Sequence, residues 1–108
     1  MAKPLQIQIV ERARALIADE QHWCRGHLAQ DESGVGIFAT SDRAVKRCAL
    51  GAVIAAAYQL TRDFDAANDL AHKAMRPCYS TATLIHVNDM RGHTAVLAPL
   101  DEVIASQR

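Results

Sequence analysis

This 108-residue sequence predicts a mainly α fold: a compact bundle of four to five helices, with at most one short β-hairpin near residues 27–39. Three observations lead there. Apolar residues recur at steps of three and four over most of the chain, the period of a helix face. The stretch from Cys48 to Leu60 carries no charge at all, so it belongs in the middle of whatever the other segments build. Glycines 26, 34 and 36 fall in the one region where the helical period lapses.

Pro4 suits the first turn of a helix, and Ile9, Val10, Ala13, Leu16 and Ile17 then predict a helix over about 4–19. Leu5-Gln6-Ile7-Gln8-Ile9 also alternates with the period of a strand, so 5–9 can be read either way. Strong helix formers from Glu11 to Leu16 favour the helix. Between 21 and 40, Asp31-Glu32-Ser33-Gly34 carries turn residues, and a hairpin pairing 27–30 with 35–38 is the expected outcome.

Ser41 reads as an N-cap with Asp42 behind it, opening a central helix that runs to Leu60. Gly51 and the alanines at 52, 55, 56 and 57 would let another helix approach closely. Thr61 or Asp63 caps a third helix with Phe64, Ala67, Leu70, Ala71, Ala74 and Met75 on its apolar face, ending before Pro77. Ser80 caps a short helix stopped by Asn88-Asp89 and Gly92, and a last helix spans about Thr94 to Ser106 with Pro99 inside it.

One core is what this length supports: about two thirds of the unfolded surface is buried at a radius of gyration of roughly 13 Å, so 1–108 is expected to be a single domain. Twelve basic residues balance twelve acidic ones, which argues against a nucleic-acid or anionic-membrane coat. The apolar start is too short and too interrupted for a signal peptide, so a cytoplasmic location is expected. Cysteines 24, 48 and 78 are odd in number and form no C-x-x-C pair, which reads as free thiols.

Trp23-Cys24-Arg25-Gly26-His27-Leu28-Ala29-Gln30-Asp31, then Cys48-Ala49-Leu50-Gly51-Ala52, then Asn88-Asp89, and last His93 with Val96-Leu97, Asp101 and Ile104 follow one another in a distinctive order. Together they resemble a small bacterial and phage family of unknown function, built on W-x-x-G, C-A-L-G-A, N-D and H-x-x-V-L motifs. The sequence departs from that pattern at Arg47, where the family has an aromatic, and at Gly92, where it has Thr. The resemblance implies positions of interest and no activity.

Chemistry was sought at each cluster. His22, Cys24 and His27 offer soft ligands, but their spacing fits no zinc motif, and no metal or cofactor is expected. His86, Asp89 and His93 would share a face only in an unbroken helix. Asn88 and Asp89 are instead expected to hydrogen-bond the turn and cap the last helix, with His93 near its start, as a turn-capping or binding site. Arg43, Lys46 and Arg47 would form a basic patch on one exposed helix face. Trp23, Cys48 and Gly51 are expected as core anchors.

The resulting expectation is a binding or interaction module without catalytic machinery, its partner another protein or a second copy, with no membrane and no nucleic acid. The competing class is a metal-dependent or thiol enzyme using His93, Asp89 and a cysteine such as Cys48.

Overall fold

The computed structural model describes residues 3–76 and 78–106. Five α-helices occur in it: α1 (Leu5–Leu16), α2 (Ala49–Thr61), α3 (Phe64–Met75), α4 (Thr81–Arg91) and α5 (His93–Ser106), with a short 3-10 turn at Glu20–His22. Three two-residue strands lie between α1 and α2: β1 (Ala29–Gln30), β2 (Gly36–Ile37) and β3 (Lys46–Arg47). The fold is mainly α.

The charge-free segment forms α2, and every residue from Ala49 to Ala57 is buried. It packs against α1, α3 and α4, while α5 closes the bundle against α1 and α4. Burying nine consecutive residues is possible because six of them are Ala or Gly, so neighbouring segments come close without a thick layer of side chains. The alternating opening resolves as helix: Ile7, Ile9, Val10 and Ala13 turn inward together, a spacing only a helix face satisfies.

Four local expectations differ from what the chain does. The central helix does not open at Ser41. Cys48 is its N-cap, with Sγ accepting from the Gly51 amide at 3.3 Å. Residues 41–47 are spent on a turn, in which Ser41 Oγ accepts from the Arg43 amide, and on β3. Cross-strand pairing supplies the amides and carbonyls of this segment with partners that a helix would otherwise have given them.

That segment also adds a third strand where at most a two-stranded hairpin was expected. The sheet order is β2-β1-β3, both pairs antiparallel, with Ala29 opposite Ile37 on one side and Arg47 on the other. Third, α4 does not stop at Asn88-Asp89 but continues to Arg91, ending at Gly92 with φ 96°. The local turn preference of Asn and Asp is overridden because both side chains find partners elsewhere in the fold. Fourth, Gly51 faces the loop backbone just before β1 and not a helix: a Cβ there would overlap the Leu28 carbonyl oxygen. That carbonyl also accepts from the Cys48 amide at 3.1 Å.

Asp63 Oδ1 accepts from the Ala66 amide and starts α3; Ser80 Oγ accepts from the Thr83 amide and starts α4. Pro99 is buried within α5. The buried apolar residues form one continuous cluster drawn from all five helices and from Trp23 and Ala39. No helix among the described residues is long and apolar enough to cross a membrane.

Candidate functional site

Asn88 is the one fully buried polar side chain among the described residues. Its Oδ1 accepts from the Trp23 indole Nε1 at 2.6 Å and from the Ala49 amide at 2.9 Å. Its Nδ2 donates to the Cys24 carbonyl at 3.1 Å and to Asp89 Oδ1 at 2.9 Å. Two donors that can only donate meet Oδ1, so the amide's orientation follows from its partners. All four of its hydrogen-bonding positions are used.

Asp89 Oδ1 also accepts from the Gly26 amide at 3.1 Å. Gly26 holds φ 81°, which turns that amide toward α4. His93 lies alongside, its ring 5.6 Å from the Trp23 ring, with Nε2 2.6 Å from the Ile17 carbonyl oxygen. A carbonyl can only accept, so Nε2 carries the proton. Arg25 covers the outer face of the indole at 5.1 Å.

Asn88, Asp89, His93 and Trp23 therefore meet at one place, the junction of α4, α5, the loop after α1 and the start of α2. The capping role differs from the expected one. Asn88 serves the first amide of α2 and the loop at Cys24, and Asp89 serves Gly26, rather than the last helix. The reason is geometric, since both residues lie in the final turns of α4 and face the preceding segments, not the helix that follows.

The thiols flank this junction. Cys24 is buried with Sγ donating to the His27 carbonyl at 3.5 Å, and burial, helped by Cys48, pushes it up to about 11. Burial pushes the Cys48 thiol up as well, against the opposing pull of amide donors such as Gly51. Raised values keep both as thiols, the poorly nucleophilic form. All three cysteines are free. Among the described residues no group of three or more His, Cys, Asp and Glu side chains converges as metal ligands would.

The basic residues do not form a helix face, because 43–47 is not helical. Lys46 and Arg47 are neighbours in β3 and point to opposite sides of the sheet. Lys46 is exposed, whereas Arg47 is half-buried and donates through Nε to the Ala39 carbonyl at 3.0 Å. Arg43 is exposed on the rim of a hollow of about 730 Å³ that His27, Leu28, Ile37 and Phe38 also line.

Beside that hollow the surface turns apolar. Phe38 is 76% exposed, Phe64 58% and Leu28 42%, and with Ile54 they line a groove of about 300 Å³ between the sheet and the start of α3. A family model described as a family of unknown function (DUF6197) matches residues 1–106. The chain belongs to DUF6197. No curated protein and no solved structure matches it.

In this DUF6197 chain, two groups of residues escaped the sequence reading. Phe38 and Leu28 lay within the expected hairpin, yet nothing in their pattern said that the hydrophobic side would face water. Phe64 was assigned to the buried face of α3 and is exposed instead, its ring meeting Tyr58 edge-on at 6.3 Å. Arg62 was passed over altogether, though it is the one non-glycine residue with positive φ, 57°, among those described. A glycine there would have been a visible signal; an arginine is not.

Proposed function

We propose that this protein is a binding module without catalytic machinery, which takes a segment of another protein into the apolar groove at the sheet end. The carrying observation is the exposed trio Leu28, Phe38 and Phe64 around that groove. Large aromatic side chains held in water at this exposure lose apolar burial that a partner restores, and a contiguous apolar hollow is where partners bind. His27 and Arg43 rim the adjoining hollow, so the fitting segment has apolar side chains followed by a carboxylate. β2 is an edge strand beside the same hollow and offers backbone to an extended segment. Two buried thiols with raised values, and Asn88, Asp89 and His93 all engaged in internal hydrogen bonds, support the absence of catalytic machinery. Three free cysteines support a reducing, cytoplasmic setting, and the motif resemblance supports a bacterial one.

Phe38→Asp and Phe64→Asp test the reading. Both sites are exposed, so melting temperatures should stay near wild type, within the shift that about 0.5 kcal/mol produces. Crosslinking in host cells should then lose the partner captured by the wild type. Equal capture by both variants would sink the groove as the contact surface.

A further inference from the structure

Next to the groove, beyond Thr40, lies a smaller hollow of about 180 Å³. Arg47, Arg62, Thr40, Ser41, Asp42 and Gln59 contribute its polar walls. Its two arginines come from different elements, and among the described residues neither is held in an ion pair. The ion pairs among the described residues are Lys3–Glu11, Arg14–Asp101 and Lys73–Asp69, and neither arginine takes part. Arg47 is half-buried, and among the described residues its side chain makes one hydrogen bond, through Nε to the Ala39 carbonyl. Burial pulls its value below the ordinary arginine range, the mark of a charge short of compensation. Arg62 lies over the Tyr58 ring at 5.7 Å, on backbone held in the left-handed region at the end of α2. That conformation ends α2, with the Arg62 amide donating to the Tyr58 carbonyl at 2.7 Å, and it fixes where the side chain leaves the helix.

We propose that this hollow binds a phosphate group. Two guanidinium forks and the hydroxyls of Thr40 and Ser41 offer donors in the pattern that recognises tetrahedral oxyanions. Asp42 lines the same hollow, so two positive charges and one negative leave a net positive site, suited to a mono- or dianion and not to a polyanion. The volume admits a phosphate and a few waters and excludes a nucleoside. The end of α2 contributes partial negative charge at the rim, and Arg62 offsets it. Arg12, whose Nη1 reaches Gln59 Oε1 at 3.4 Å, adds a further positive charge behind the wall. The site shares Thr40 with the apolar groove but is otherwise lined by different residues, and it stands or falls independently of it.

The test is titration of the ¹⁵N-labelled protein at constant ionic strength with inorganic phosphate and, in a second arm, with phenyl phosphate. Saturable shifts of the amides of 40–42 and 62 are expected in at least one arm. A response to both identifies free phosphate as sufficient, and a response to phenyl phosphate alone identifies a monoester as the ligand. Arg62→Gly should raise Kd at least tenfold while keeping or raising the melting temperature, because glycine accepts φ 57° without strain. Asp42→Asn should lower Kd by removing the competing carboxylate. Absence of saturable shifts in both arms, or an Arg62→Gly protein that binds as wild type does, would overturn the proposal.

Discussion

Asn88 shows how much one side chain can hold. Replacing it with Ala leaves the Trp23 indole N–H, the Ala49 amide and the Cys24 carbonyl without this partner in a dry interior. Buried groups left unpaired cost about 1–3 kcal/mol each, so Asn88→Ala should destabilise by roughly 2–4 kcal/mol once partial relaxation is allowed. Urea unfolding measures it, and a loss below about 1 kcal/mol would show that the junction is not structural. The thiols give a second prediction at this scale. Cys24 and Cys48 both have folded values above those of the unfolded chain, so the folded state holds its protons longer. Their contribution to stability is complete below about pH 9 and is lost above it, for Cys24 as pH climbs toward 11. Denaturation midpoints should fall across that window in the wild type. The fall should be smaller in a Cys24→Ala, Cys48→Ala protein.

Among the elements, α2 comes close at Gly51 to the backbone just before β1. Gly51→Ala drives a methyl group into the Leu28 carbonyl, which is backbone and cannot swing aside. The start of α2 or the strand must move, and destabilisation of at least 1–3 kcal/mol follows from overpacking alone, roughly. The melting temperature reads it. Gly34→Ala makes a useful comparison, since that site is open and only its φ of 82° resists a side chain. The sequence places α5 to within a residue and offers Asp63, the cap used, as one of two starts for α3, because periodicity and caps are local signals carried by the element itself. It misplaces the start of α2 by seven residues, since Val45, Cys48 and Ala49 imitate a helix face while the Val45 amide in fact donates to the Gln30 carbonyl. Pairing with a distant strand leaves no trace in the paired residues. The same holds for Asn88, whose partners Trp23 and Cys24 are more than sixty positions away.

Taken whole, the molecule measures 41 × 30 × 22 Å and divides its labour by end. The helices carry most of the buried cluster, and the sheet end carries the exposed aromatics and two arginines that are in no ion pair among the described residues. Overall charge balance concealed this, because a net charge of zero is compatible with a positive hollow in one place and ion pairs in another. The resemblance to a family of unknown function was legible in spaced motifs, and the family match agrees with it. Neither names a ligand, and both proposals for the sheet end rest on its surface chemistry.

Trp23 gives the junction one more property. It is the chain's single tryptophan, and it sits where a loop, α2, α4 and α5 converge, with its N–H bonded to Asn88, Arg25 across one face and His93 beside it. The protein thereby carries an optical reporter at the point where most of its elements must agree. Emission from this indole follows the integrity of the junction rather than of any one helix, and no label has to be introduced to watch it open.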